Sequence, residues 1–357
     1  MKIRSLITAL LALVLIASAC GSDDAGTAAG DGTWPDKITF GFVPSTEQES
    51  LADDIQPFMD VLTEALGIEV EGIVTTDYTG LVTAMGTGKT DLGAFGPFGY
   101  VLAQQQFPAS AEVLIQAIRY GSPTYHGQWM TNDPSMCDTA PESATALENT
   151  PDGLTQVGAL DAVALQVGVY FGDSGKALGE SVDAGDVSPG TSCMADLSKV
   201  AGKRVAFTSE SSTSGYLFPA LQLIEVGIDP VNDITPIFTG GHDAAVVAVY
   251  NGDADVGVSY DDARRTLRKE KVDVGDKVMV FNITSEVPND VVAASALLPD
   301  SLQTAIYDAI SAYLATEEGE AVFDEAYGWT DIRRAADSDF DVVRAAAEAL
   351  GITEPLG

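Results

Sequence analysis

The sequence predicts a two-lobed α/β protein in which each lobe carries a mostly parallel sheet. Three observations lead there: strand and helix patterns alternate, the alternation restarts in the second half, and one short unit occurs in both halves. Lys37 to Val43 reads as a first strand closed by Pro44, and helical periodicity follows from about Glu49 to Leu66, stopping at Gly67. Ile68 to Val74 reads as a second strand and Tyr78 to Met85 as a short helix. Asp91 to Phe95 reads as a third strand, ending in Gly96-Pro97. This rhythm argues for parallel strands joined by helices.

The rhythm restarts with a strand at Lys203 to Phe207 and a helix from Ser214 to Val226 that ends at Gly227. A strand at Thr235 to Phe238, a helix at Asp243 to Tyr250 and a strand at Asp255 to Ser259 follow. A helix end, a Gly-containing turn and an Asp opening a short buried strand occur at Met85 to Ala94 and again at Tyr250 to Val258. We read these as the same unit used once per lobe. Between them, Asp133 to Asp196 is rich in Gly, Ser, Thr, Asp and Ala and resembles an insertion on the edge of the second lobe. Its apolar run, Ala162 to Phe171, reads as a strand, and Ser301 to Leu350 reads as largely helical.

Lys2 and Arg4, the apolar stretch Leu6 to Ile16 and the small residues Ala17-Ser18-Ala19 before Cys20 form a secretory leader. The stretch is shorter than the roughly 20 residues that span a bilayer. Cys20 with Gly21-Ser22-Asp23-Asp24 resembles a bacterial lipobox, which implies lipidation of Cys20 at a mature N-terminus. Residues 1–19 are then signal peptide and 20–35 a flexible tether. Removal of the first 19 of 357 residues leaves 338, enough for two lobes each with a core.

The formal net charge is −35, from 18 Lys and Arg against 53 Asp and Glu. Nucleic acid is excluded as a partner, because phosphate-backbone binding needs clustered Lys and Arg. A small anion is not excluded: distant surface charge is screened within about 10 Å, while local N–H groups and hydroxyls decide affinity in a desolvated site. In an exported chain Cys137 and Cys193 favour a disulfide, two unpaired buried thiols being the alternative. With only His126 and His242 beyond the cysteines, neither a metal site nor a cofactor is expected.

Gly86-Thr87-Gly88-Lys89-Thr90 imitates a phosphate-binding P-loop, but Thr83 stands where the pattern needs Gly, and a helix precedes where a strand should. More informative is Ser209-Glu210-Ser211-Ser212-Thr213-Ser214-Gly215-Tyr216, which follows a strand and opens a helix. One cap needs one hydroxyl. Several hydroxyls beside a helix N-terminus make an oxyanion cradle. Thr239-Gly240-Gly241-His242-Asp243 occupies a second such turn, where His242 can donate to an oxygen. Both turns fall at the carboxyl ends of strands, where open α/β sheets bind ligands.

Phe40-Gly41-Phe42-Val43-Pro44, Asp77-Tyr78, Asp91 through Pro97, Tyr125-His126, Ser212 through Tyr216 and Phe238 through Asp243 occur in that order. Together they resemble the phosphate, phosphite and phosphonate-binding proteins of ABC importers. The resemblance covers nearly all of the mature chain except Asp133 to Asp196. It implies a type II periplasmic-binding-protein fold with a hinge, a lipid-anchored monomer at the outer face of the cytoplasmic membrane, and an ABC permease as partner. Lobe 1 would take 36–126 with 290–357, and lobe 2 would take 127–289 with the insertion at about 133–196. Ser212, Thr213, Ser214 and His242 would hold the oxyanion, with Tyr78 and Tyr125 closing from the other lobe. Asp262, or Asp261 in its place, and Asp290 would hold the ammonium group of an aminoalkylphosphonate. Alternatively, such a carboxylate accepts from a P–OH of phosphite or phosphate. A secreted hydrolase using Ser212 or Ser214 with His242 lacks the expected nucleophile elbow, so no enzyme is expected. A lipid-anchored sensor would differ only in what docks on the lobes.

Overall fold

Alternation along β1 (Lys37–Phe42) buries Ile38, Phe40 and Phe42 on one face. Helix α1 (Gln48–Leu66) lays Leu51, Ile55, Phe58, Met59, Leu62 and Leu66 into the core at helical spacing. On the other face of β1, a Cβ at Gly41 would stand 2.4 Å from Leu81 Cδ1, so the next helix packs directly on the strand. Strand β2 (Glu69–Val74), α2 (Tyr78–Gly86), β3 (Leu92–Phe95), α3 (Pro97–Gln106) and β4 (Glu112–Ile118) complete the first run. In this computed structural model the described residues are 33–352 except 47, 109, 120, 144, 159–189 and 269. The leader, Cys20, most of the tether and the apolar run at 162–171 therefore lie outside the described residues.

The chain crosses to a second sheet through β5 (Thr124–Thr131). There the segment expected as an insertion contributes β6 (Glu142–Ser143), the hairpin β7 (Thr145–Thr150) and β8 (Gly153–Gly158), and β9 (Thr191–Ser192). Cys137 and Cys193 are bonded, their Cα atoms 5.7 Å apart. Then come β10 (Arg204–Phe207), α4 (Phe218–Glu225), β11 (Thr235–Phe238), α5 (His242–Asn251), β12 (Val256–Tyr260), the single turn α6 (Val274–Lys277) and β13 (Met279–Pro288). The chain returns to the first sheet through β14 (Val291–Ala294) and ends with α7 (Asp300–Leu314), α8 (Glu317–Tyr327), β15 (Asp331–Arg334) and α9 (Asp341–Ala349).

The first sheet runs β15-β4-β14-β3-β1-β2 and the second β11-β10-β12-β5-β13-β9-β6. Within them β2-β1-β3-β14-β4 and β11-β10-β12-β5-β13 are the same arrangement. In each, a parallel trio is extended by an antiparallel strand that has just arrived from the other lobe. The repeat holds at atomic level. Asp91 Oδ2 accepts from Thr39 N (2.8 Å) while Asp91 N donates to Thr39 O (2.8 Å). Asp255 exchanges the same pair of bonds with Arg204 (2.9 and 3.0 Å). Likewise Thr75 N bonds Phe42 O, and Thr239 N bonds Phe207 O. The two Asp residues thus lock the entry of the third strand to the first in both lobes.

The crossings are bonded to each other: Asn289 N donates to Pro123 O (2.8 Å) and Asn289 Nδ2 to Ser122 O (2.7 Å). Helix α9 joins an apolar cluster that holds Phe98 and Tyr100 of α3 together with Leu217 and Phe218 of the second lobe.

Two elements differ from expectation. The C-terminal stretch, expected to be largely helical, includes β15, whose partner is β4 and whose apolar signal is one buried residue, Ile332. The helix expected from Ser214 opens instead as a wide turn, with Leu217 N bonded to Ser212 O and Phe218 N to Thr213 O. Pro219, lacking an N–H to continue a tighter ladder, then starts the regular helix.

The disulfide spans a sequence separation of 56, so the double variant Cys137→Ser/Cys193→Ser is expected to lose about 4 kcal/mol of stability in the chain-entropy account. Denaturant unfolding of oxidised protein and variant measures it, and equal midpoints would defeat the expectation.

Candidate functional site

In both lobes the helices that follow the parallel strands begin at the boundary between lobes. Tyr78 opens α2 and His242 opens α5, equivalent positions in the two halves of the repeat. Both line a cavity of about 60 Å³ between the lobes, together with Tyr125, Ser212, Thr213, Ser214 and Asp290. At roughly 10–15 Å³ per water-sized group, that is room for a handful of heavy atoms.

The hydroxyl run divides its labour. Ser212 Oγ caps the turn by accepting from Gly215 N (3.1 Å). Thr213 Oγ1 accepts from Phe98 N (2.8 Å) at the start of α3 in the other lobe, and Ser214 Oγ accepts from Tyr125 OH (3.2 Å). Ser211 meets Thr79 across the lobes (3.1 Å) and does not line the cavity. The backbone N–H groups of Thr213 and Ser214 meet no acceptor among the described residues. In the second turn Gly240 has φ +88°, a conformation that favours glycine, while Gly241 precedes α5. The resulting turn brings His242 N to Ser45 O of the other lobe (2.9 Å).

His242 Nδ1 lies 2.8 Å from Ser259 Oγ and 3.3 Å from Thr208 Oγ1. Burial, reinforced by the nearby Arg119 charge, pushes its pKa down to about 3, so the ring is neutral at neutral pH. In the tautomer where the serine hydroxyl donates to Nδ1, the ring proton sits on Nε2 and is available as a donor. Four more donor atoms on the cavity wall, Ser45 Oγ, Tyr78 Oη, Tyr327 Oη and Arg119 Nε, are buried without a hydrogen-bond partner among the described residues. Buried polar groups are ordinarily satisfied, so orphaned donors gathered around one cavity suit a ligand rich in acceptors.

Among the described residues, Asp290 supplies the only carboxyl on the wall. Its Oδ2 accepts from Trp329 Nε1 (3.2 Å). Burial raises its pKa, with Arg119 and the Trp329 bond pulling the other way.

Asp262, expected at the cleft, does not line it. Its carboxylate is closed in a bidentate pair with Arg264 (Nε to Oδ1 3.0 Å, Nη2 to Oδ2 2.6 Å), both side chains fully buried. Arg264 Nη1 donates onward to the carbonyls of Thr191, Gly275 and Val278, tying β9 to this loop. Asp261 also stays off the wall. Burial pushes its pKa up to about 6, and its carbonyl accepts a long bond from Arg119 Nη2 (3.4 Å).

Sequence reasoning passed over Ser45, Arg119, Tyr260, Tyr327 and Trp329, all on the wall. Arg119 left a signal: a lone cation closing the apolar strand Leu114 to Ile118 in a chain with few basic residues.

Residues 40–340 match the family described as the periplasmic substrate-binding protein of phosphonate ABC transporters. The chain belongs to that family. It is therefore the binding component of an importer of the phosphonate and phosphate class, an extracytoplasmic protein and not an enzyme. It is 27% identical over 379 aligned positions to a phosphate-import protein of Mycolicibacterium smegmatis, covering 98% of each chain. It is 21% identical over 311 positions to the phosphonates-binding periplasmic protein of Escherichia coli K12, covering 87% of this chain and 75% of that one. Among solved structures, a Prochlorococcus marinus protein in complex with methylphosphonate superposes with a TM-score of 0.65 at 19% identity. That match spans 89% of this chain and 99% of the other, and it shows the type II periplasmic-binding fold.

Because Asp262 neutralises a fully buried guanidinium, Asp262→Ala is expected to cost roughly 3–5 kcal/mol of stability. Ligand affinity of the folded fraction should stay unchanged. Chemical unfolding paired with calorimetry checks both halves, and a stable variant with altered ligand preference would contradict the placement.

Proposed function

We propose that the binding protein captures a compact phosphorus oxyanion that carries a P–OH, namely phosphate, phosphite or methylphosphonate, and presents it to an ABC permease. The observation that carries this reading is an imbalance of donors and acceptors. Hydroxyls, backbone N–H groups, the neutral His242 ring and a guanidinium converge on one small cavity that has, among the described residues, a single carboxyl, Asp290. Donors suit the oxygens of an oxyanion. The carboxylate repels an anion unless a proton lies between them, and a P–OH supplies that proton. Sulfate, fully ionised at neutral pH, has none to give, so it leaves a buried carboxylate unpaired.

An aminoalkylphosphonate is the less favoured ligand. Its ammonium group was expected between two carboxylates, and Asp262 is instead committed to Arg264. The small volume of the cavity points the same way. In this reading the lobes close on the ligand by bending at the bonded crossings, and Cys20 carries the lipid that keeps the protein beside its permease.

Calorimetry of the exported protein is expected to detect phosphate, phosphite or methylphosphonate, with 2-aminoethylphosphonate weaker and sulfate silent. Tightest binding of 2-aminoethylphosphonate, or silence toward every phosphorus compound, would sink the proposal. Ser212→Ala with Thr213→Ala should abolish binding while the variant stays folded, and Asp290→Asn should let sulfate in by removing the repelling carboxylate.

A further inference from the structure

Among the described residues, two arginines are almost completely buried, and their surroundings differ sharply. Arg264 is fully enclosed and saturated: it shares Asp262 as a bidentate partner and donates to three backbone carbonyls. Arg119 is 6% exposed, yet among the described residues no carboxylate lies within ion-pair distance of it. Among the described residues its Nε has no partner, and its one side-chain hydrogen bond is the 3.4 Å contact from Nη2 to the Asp261 carbonyl. Instead it is held by two aromatic faces. The guanidinium carbon sits 5.2 Å from the Tyr125 ring centroid and 4.9 Å from that of Tyr260. Two aromatic faces fix the plane of the group and leave its N–H edge unsatisfied. That side chain is part of the wall holding Ser212, Thr213, Ser214 and His242.

Burying a cation without an anion is costly, and a fold gains nothing from it unless the anion arrives later. We propose that Arg119 is the counter-ion of the bound ligand: clamped between Tyr125 and Tyr260, it donates its free N–H edge to the oxyanion. The assignment rests on the oxyanion reading above and adds to it the source of positive charge. Hydroxyls and backbone N–H groups offer only partial charges. Arg119, fixed on the first crossing, brings one full charge to the boundary between the lobes. Because the crossing connects β4 to β5, an anion that engages Arg119 also touches the segment about which the lobes turn.

The test compares the wild type with Arg119→Gln and Arg119→Lys, reading phosphate affinity by calorimetry and the melting temperature of the ligand-free protein. A counter-ion gives a particular signature. Arg119→Gln weakens phosphate binding at least about 30-fold. The same change leaves the ligand-free melting temperature unchanged or higher, since an unpaired buried charge has been removed. Arg119→Lys, which keeps the charge but not the fork, falls between the two in affinity. An affinity within about 3-fold of wild type in Arg119→Gln would overturn the assignment. So would a lower ligand-free melting temperature in both variants, which is what a purely structural arginine produces. If the wild type binds phosphate and Arg119→Gln binds it equally, only the counter-ion fails. If the wild type binds none of phosphate, phosphite and methylphosphonate, the ligand reading fails and this assignment with it.

Discussion

The parallel strands of both lobes deliver their carboxyl ends to the same boundary, and the rest of the site depends on that convergence. A helix that starts there leaves its first N–H groups without partners in its own ladder. When several such starts face each other across a narrow gap, their unpaired donors and dipole ends point into common space. The repeat makes the convergence accurate. Asp91 and Asp255 fasten the third strand to the first in each lobe, so Tyr78 and His242 open equivalent helices on opposite sides of one cavity. The antiparallel strand beside each parallel trio comes from the opposite lobe, and the two crossings that deliver them are bonded to each other at Ser122, Pro123 and Asn289.

Within that frame, charge is handled at two scales. Over the surface the protein is strongly acidic, a property of solubility and encounter that screening confines to short range. Inside, it keeps separate accounts for separate groups. Asp262 and Arg264 neutralise each other and brace β9, so the disulfide-tied segment supports the loop beside the ligand cavity without forming its wall. Asp290 and Arg119 line the cavity without touching each other. A carboxylate that can accept a proton and a guanidinium that, among the described residues, has no ion-pair partner leave a space suited to an anion that keeps a proton.

Contacts across the lobes join these themes. Thr213 with Phe98, Ser211 with Thr79, and Ser45 with His242 are all polar contacts between lobe surfaces, two of them on the cavity rim itself. The hydroxyl run is therefore both cavity wall and lobe seam. That explains why it is longer than a helix cap requires. The wide turn from Thr213 to Leu217 also places successive hydroxyls on different neighbours, where a tighter helix would stack them along one face.

The sequence by itself determined the alternating elements, the duplicated Asp-opened strand, the two donor turns and the family, because each is written in local periodicity or contiguous motifs. Ser212 to Ser214 and His242 were legible for that reason: they sit in unbroken strings whose only economical use is at a helix start. β15 was hidden because one buried residue, Ile332, carries no period. Only the tertiary structure decided which charged residues face the cavity. Asp262 and Asp290 look alike in sequence, and what separates them is Arg264, a neighbour whose side chain folds back on one and never reaches the other. Arg119 likewise owes its place on the cavity wall to the rings of Tyr125 and Tyr260, which meet it from β5 and β12, strands that come together only when the sheet forms. Burial and pairing are properties of three-dimensional neighbours, and a linear chain does not state them.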